Sequence, residues 1–195
     1  MKKTSLNFMI LFCLFVSCKE VKKANSNLQI QENEIEQLLN FFNVNAYQAE
    51  LGTYYSEVDN EGKVMSGKVF NVALSRLIYG LSYSSEVIPS NLKNAQRATD
   101  FQLQKLVDED SVGTHFISFF DLQTNTADSS LNLDIWQQAY GLCGLSELYR
   151  KSPNDDLLAQ IHTLHDSFIK RFYDDKKGGF YANYENNEQV SGSKT

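Results

Sequence analysis

The stretch VFNVALSRLIYGL, residues 69–81, decides the fold that the sequence predicts. Its apolar residues fall on every side of a helix, which is typical of a helix that is buried all round. Residues 131–149 repeat this character, whereas residues 91–107 and 154–173 keep their apolar side chains on one side. This alternation of inner and outer helices predicts a toroid of concentric helices.

A second pattern indicates an internal repeat. Gly52, Gly113 and Gly178 each begin a four-residue segment rich in bulky side chains, which predicts a turn that leads into a short extended segment. The first two of these segments are 61 residues apart, and so are the Tyr-Gly-Leu triplets at 79–81 and 140–142. A period near 60 residues disfavours tetratricopeptide repeats, which recur about every 34 residues.

Local signals complete this helical pattern. Ser152, ahead of Pro153 and two aspartates, predicts the start of the second outer helix. Three glycines lie inside the inner helices, where each costs about 1 kcal/mol relative to alanine. We therefore expect them to allow neighbouring backbones to approach closely; they are Gly80, Gly141 and Gly144.

Composition and charge narrow the class of protein. The 195 residues are 42% hydrophobic, which indicates a globular chain. The net charge of −6 argues against a nucleic acid as partner.

Cys143 is expected to be a small buried hydrophobe and His115 to pack in a turn. His165 is expected on the buried stripe of its helix with His162 at the edge, and since this pair lacks a third ligand, no metal site is predicted.

The first residues have the pattern of an export signal. Lys2 and Lys3 precede an apolar run, Phe8 to Val16, that is too short for the roughly 20 residues of a membrane span. The run ends at Cys18 in a segment that resembles a bacterial lipobox. We therefore expect residues 1–17 to be a lipoprotein signal peptide, residues 18–27 a tether, and Cys18 an acylated N-terminus that anchors an exported protein to the membrane. An ordinary signal peptide is the alternative.

Three segments resemble motifs of the N-acylglucosamine 2-epimerase family. They are NVALSRLIY at 71–79, DIWQQAYGL at 134–142 and DDKKGGFY at 174–181. The resemblance implies an all-α fold, the (α/α)6 barrel, with sugar 2-epimerase or aldose–ketose isomerase activity. The implied substrate is a mono- or disaccharide with a reducing end, and no cofactor is implied.

The resemblance assigns two substrate-binding residues. Arg76 would contact the oxygens of the open-chain sugar, and Trp136 would line the sugar pocket. Two alternatives stay open: Arg76 as a cation paired with an acidic neighbour, and Trp136 as a plain core aromatic. The family's acid and base are histidines on later inner helices, so no catalytic residue is expected in this chain and we expect it to be inactive alone.

These observations predict that residues 28–195 form the N-terminal part of an incomplete (α/α)6 barrel. Its last inner helix would lack a neighbour, so an exposed apolar edge and self-association are expected. Two other functions stay open. One is another (α/α) barrel enzyme, a glycan hydrolase or lyase, and the other is a non-catalytic lipoprotein that binds glycans.

Overall fold

The computed structural model describes residues 32–130, 132–186 and 188–190. The predicted signal peptide, the tether with Cys18, and residues 28–31 of the predicted barrel lie outside the described residues. The chain divides into two compact units, Met1–Asn40 and Phe41–Thr195. Helix α1 covers residues 32–45.

The predicted alternation of helices is confirmed in the second unit. Helix α2 spans Asn71–Ser84, α3 Ser90–Lys105, α4 Ile135–Lys151 and α5 Asp155–Phe172. The inner helices α2 and α4 pack against each other, and each also packs against the outer helix that follows it, α3 or α5. In the part of the chain that the structure describes, no helix is long and apolar enough to cross a membrane.

The prediction of an all-α fold is wrong in detail, because short antiparallel strands form four small sheets. Two are hairpins, β1–β2 and β4–β5, and the other two have the orders β3–β6–β7 and β8–β9–β10. The strands are β1 Tyr47–Gln48, β2 Thr53–Tyr54, β3 Lys68–Phe70, β4 Val107–Glu109, β5 Thr114–Phe116, β6 Phe119–Asp121, β7 Thr126–Ala127, β8 Leu133–Asp134, β9 Asn183–Glu185 and β10 Glu188–Val190.

The repeated glycine segments form turns, as predicted. Gly52, Gly113 and Gly178 have φ angles of 70°, 138° and 70°, which side chains other than glycine rarely adopt. Strands β2 and β5 follow the first two glycines directly, and Phe180 bridges to Tyr173 after the third. These turns create the strand pairs that helical periodicity does not reveal.

The inner helices run in the same direction and are joined by polar contacts. The Asn71 side chain donates to the Gln137 carbonyl at 3.4 Å, near the start of both helices. One turn later, the Ser75 hydroxyl donates to the Tyr140 carbonyl at 2.6 Å. At the other end, Lys151 forms an ion pair with Glu86, just beyond α2.

The prediction that the inner helices are buried on every side is wrong. On α2 the buried apolar residues are Leu74, Ile78 and Leu81, whereas Tyr79 and Tyr83 are exposed. The buried residues contact the neighbouring helices of the chain, and no described element covers the opposite face. The exposed side of α2 is therefore rich in aromatic residues. The predicted uncovered edge of the last inner helix stays a prediction.

Two local predictions are also wrong. Asn154, rather than Ser152, caps α5: its side chain accepts a hydrogen bond from the Leu157 N–H at 2.9 Å. Ser152 instead ends α4. Gly80 permits no close approach, since a Cβ there would meet nothing within 4 Å. At Gly144 a Cβ would overlap the backbone of Ser75, so the predicted close approach is confirmed there.

Candidate functional site

The exposed side of the two inner helices forms one continuous surface, called the aromatic face below. On α4 it contains Trp136, which is 69% exposed, and Tyr140, which is 41% exposed. Because these residues are four apart, they lie one turn apart on the same side of the helix. The aromatic face comprises Arg76, Tyr79 and Tyr83 of α2 and Trp136, Tyr140 and Cys143 of α4.

Arg76 joins the two halves of this surface. Its guanidinium carbon lies 5.8 Å from the centre of the Tyr140 ring, within the range of a cation–π contact. Among the described residues it has no hydrogen bond or ion pair to a side chain, so the alternative of a cation paired with an acidic neighbour is wrong. Trp136 is 69% exposed, so within the described chain it does not pack as a core aromatic. Sugar contact at both residues stays a prediction.

The position of Tyr140 is fixed by the packing of α2 on α4. Ser75 donates to the carbonyl oxygens of Tyr140 at 2.6 Å and Gly141 at 3.1 Å, and it accepts from the Gly144 N–H at 2.9 Å. Gln102 on α3 also reaches this junction and donates to the Asn71 side chain at 2.8 Å. These buried contacts hold the helices in register beneath the exposed aromatic residues.

The first turn of α4, which contains Trp136, is anchored separately. The buried Gln138 side chain accepts from the Phe116 N–H at 2.8 Å and donates to the Phe116 carbonyl at 2.6 Å. Asp134 caps the helix by accepting from the Gln137 N–H at 3.1 Å. The two contacts join the start of α4 to strand β5 and to its own cap, so Trp136 projects from an anchored turn.

Charged pairs lie at the far end of the aromatic face. Tyr79 and Tyr83 stack with an interplanar angle of 6°, and the Lys151 ammonium lies 5.5 Å from the centre of the Tyr83 ring. The same lysine pairs with Glu86, and its hydrogen bond and charge lower the pKa of that carboxyl group. The Arg150 hydrogen bond likewise lowers the pKa of Glu147.

A second ionic cluster lies between β5 and α5. Arg171, which is only 1% exposed, donates to Asp110 at 2.6 and 3.0 Å and to the Gly113 carbonyl at 2.6 Å. Burial by itself would raise the pKa of Asp110, but hydrogen bonds from Arg171 and from the Val112 N–H lower it to about 2. The Nδ1 atom of His115 lies 3.4 Å from Nη2 of Arg171. Burial, together with the positive charge of Arg171, lowers the pKa of the His115 imidazole.

The structure agrees with the predicted surroundings of His115 but not with those of His165 and Cys143. His115 is buried in strand β5, which agrees with the predicted packing role. His165 is exposed rather than on the buried stripe, because the stripe of α5 runs through Leu157 and Leu164 and the next residue points away. Cys143 is exposed rather than buried, since it lies seven residues after Trp136 on the same side of α4.

No group of three metal-binding side chains occurs among the residues that the structure describes. A groove of about 470 Å³ lies on the outer side of the molecule, between α3 and α5. It is lined by polar residues that include Gln96, Asp100 and Asn154, and none of the predicted site residues lines it.

Sequence reasoning missed three aromatic residues of the candidate site: Tyr79, Tyr83 and Tyr140. In the sequence, Tyr79 and Tyr140 stand out as markers of the repeat and as part of the motifs at 71–79 and 134–142, without a predicted role in binding. The available signal was their spacing from Arg76 and Trp136, because residues three, four or seven apart share one side of a helix. That signal could be used only once the exposed side of each inner helix was known.

The architecture defines the class of protein: two parallel inner helices, each packed against an outer helix, with short sheets at the turns. Among solved structures, a D-mannose isomerase matches with a TM-score of 0.69 and 16% identity over 80% of this chain and 40% of that one. A cellobiose 2-epimerase from Bacillus thermoamylovorans B4167 matches with a TM-score of 0.67 and 20% identity, over 82% and 42%.

A more distant structural match is an alpha-mannanase from Bacteroides thetaiotaomicron, with a TM-score of 0.58 and 11% identity over 74% of this chain and 39% of that one. No protein-family model matches the sequence, and neither does any curated protein. These likenesses show that the chain has the fold of sugar epimerases and isomerases. It spans about two fifths of the length of these solved structures.

Proposed function

We propose that the aromatic face binds a saccharide. The observation that carries this proposal is the arrangement of Arg76 against Tyr140, with the exposed Trp136 one turn away on the same side of α4. The structural likeness to sugar epimerases and isomerases supports the same class of ligand.

The chemistry of these side chains suits a sugar. A large aromatic ring offers an apolar surface for the carbon–hydrogen face of a pyranose, and Trp136 and Tyr140 both present such a ring to solvent. The guanidinium of Arg76 adds a planar fork of donors, which suits neighbouring sugar oxygens. The aromatic rings would therefore hold the sugar ring while Arg76 orients its oxygens.

The proposed reaction of the complete barrel is proton transfer at C2 of a reducing sugar, as an aldose 2-epimerase or an aldose–ketose isomerase. A neutral imidazole is the ordinary proton carrier near pH 7. Helices α2 and α4 contain no histidine, and His115 is held by Arg171. We therefore expect the 195-residue chain to bind sugar without turnover.

Binding can be tested directly because Trp136 is the only tryptophan of the chain. Titration with mannose or cellobiose should change the Trp136 fluorescence in a saturable manner. The variant Tyr140→Ala should weaken binding, whereas Tyr173→Ala, which removes an exposed tyrosine from outside the aromatic face, should not. A fluorescence signal that no sugar alters, confirmed by calorimetry, would contradict the proposal.

Turnover needs a separate measurement. Incubation of the chain with cellobiose or mannose in D2O, followed by NMR, would reveal exchange at C2. We expect no exchange above a protein-free control. Exchange that persists in purified chain would show that an acid and a base are present after all.

A second candidate function is cleavage of a polysaccharide, which the likeness to the alpha-mannanase favours. Release of reducing ends from a glycan polymer, with no binding of monosaccharides, would support this function over epimerisation. A glycan-binding lipoprotein without activity would bind sugar and show neither reaction.

We also propose that the protein is an exported lipoprotein that is acylated at Cys18. In a bacterial host, mass spectrometry of the N-terminal peptide should find Cys18 lipidated and residues 1–17 removed. Cys18→Ser should abolish the lipid, whereas Cys13→Ser should not.

Self-association through the exposed aromatic face is a further expectation, which sedimentation over a range of protein concentrations would test.

A further inference from the structure

We propose that the saccharide bound by the aromatic face carries a carboxylate, and that Arg76 recognises this group. The inference rests on the proposed function and makes it more specific, since it names the substrate class as an acidic sugar. It depends on how Arg76 differs from the other arginines of the chain.

The chain has four arginines, and three of them have oxygen partners for the guanidinium. Arg171 binds Asp110, and Arg150 binds Glu147. Arg97 donates to the Tyr47 hydroxyl at 2.8 Å and also to the Ala49 carbonyl. The Arg76 guanidinium lies near the ring of Tyr140 and has no hydrogen bond or ion pair among the residues that the structure describes. Its N–H groups are therefore available to an external acceptor.

Arg76 also has no ion pair with an acidic side chain among the described residues. Helix α2 contains no acidic residue, and α4 contains only Glu147, which pairs with Arg150. Glu86 is paired with Lys151, and Asp134 accepts from the backbone at the start of α4. Arg76 is thus a positive charge without an acidic partner among the described residues, in a chain whose net charge is −6.

An anionic ligand fits this arrangement better than a neutral one. A carboxylate accepts two parallel hydrogen bonds from the fork of a guanidinium and neutralises its charge. A sugar hydroxyl supplies one acceptor and no charge. Charge-assisted hydrogen bonds are about twice as strong as neutral ones, and we therefore expect a preference of about tenfold or more for the acidic sugar.

Three matched ligands test this inference: methyl glucuronide, its uncharged amide and methyl glucoside. Their affinities can be compared through the fluorescence of Trp136. We expect the acid to bind at least about tenfold more tightly than the amide, with a preference that shrinks as salt screens the charge.

Arg76→Gln should remove the preference for the acid over the amide, and Arg76→Lys should keep part of it. The matched control is Lys93→Gln, which removes one positive charge from an exposed position of α3. It should leave the preference for the acid over the amide unchanged, because this preference is expected to come from Arg76 itself and not from the net charge of the chain.

The outcomes separate the two proposals. Equal affinity for the acid and the amide would overturn the inference and leave sugar binding intact. If none of the three ligands binds, the inference fails, and if mannose and cellobiose also fail to bind, the proposed function fails with it. If glucose 6-phosphate binds more tightly than the glucuronide, Arg76 recognises a phosphate rather than a carboxylate, and the inference is overturned.

Discussion

Ser75 on α2 and Gly144 on α4 are in direct contact: the Gly144 N–H donates to the Ser75 hydroxyl at 2.9 Å. A Cβ at position 144 would lie 2.7 Å from that hydroxyl oxygen and closer still to the Ser75 carbonyl. The absence of a side chain at Gly144 therefore sets the distance between the two inner helices.

Gly144→Ala should destabilise the fold. Overpacking in a core destabilises a fold by about 1–3 kcal/mol, and the better helix propensity of alanine offsets about 1 kcal/mol of this loss. We expect a net decrease of up to about 2 kcal/mol in the free energy of unfolding, measured by urea denaturation.

Gly80→Ala is the matched control, because Gly80 lies inside α2 with nothing within 4 Å of its missing side chain. It should raise the free energy of unfolding by up to about 1 kcal/mol through helix propensity alone. Changes of the same sign in both variants would contradict the close contact between the helices.

Gln138→Leu should loosen the first turn of α4. It would leave the Phe116 N–H and carbonyl without the partners that now lie at 2.8 and 2.6 Å. Each unsatisfied buried group costs about 1–3 kcal/mol, so we expect a loss of at least about 2 kcal/mol in urea denaturation. Gln137→Leu changes the neighbouring side chain, which is not fully buried, and should cost much less. Equal losses of stability in the two variants would show that the contact between Gln138 and Phe116 does not stabilise the fold.

Arg171→Met should be among the most destabilising single changes. It would remove the partner of Asp110 and the donor to the Gly113 carbonyl from a buried cluster. Breaking a buried ion pair costs about 3–5 kcal/mol. Lys170→Met, an exposed change in the same helical turn, should alter stability by less than about 1 kcal/mol in the same denaturation measurement. A small effect of both would contradict a structural role for the cluster.

The helices and turns could be predicted because their signals are local. The one-sided apolar pattern of α5 includes Leu157 and Leu164, and both are buried. The glycines of the repeated turns have positive φ angles, which is a property of single residues. Local patterns of this kind need no knowledge of the neighbouring elements.

Burial around the inner helices and the details of the site could not be predicted, because they depend on contacts between distant segments. Tyr79 and Cys143 are as apolar as core residues, and only the positions of the neighbouring helices show that they are exposed. The partner of Arg171 lies 61 residues away in the sequence, in a turn whose geometry depends on Gly113. No spacing rule connects such residues.

The stability of the fold should fall between pH 7 and pH 5 because of His115. Burial and the charge of Arg171 lower the pKa of this imidazole below its usual value of 6.5, although Asp110 and Asp108 oppose the shift. As the pH falls through 6.5, the unfolded chain therefore binds a proton that the folded chain resists, and unfolding is favoured. Asp110, with a pKa of about 2 against its usual 3.8, weakens the fold in the same direction but only below about pH 4.

Thermal melting from pH 7 to pH 5, followed by circular dichroism, would measure this effect. His115→Gln keeps an acceptor for Arg171 without a titrating ring, so the melting temperature of this variant should depend less on pH than that of the original chain. His165→Gln, which changes an exposed histidine, should leave the dependence as it is. An identical pH dependence in His115→Gln and the original chain would rule out His115 as the source.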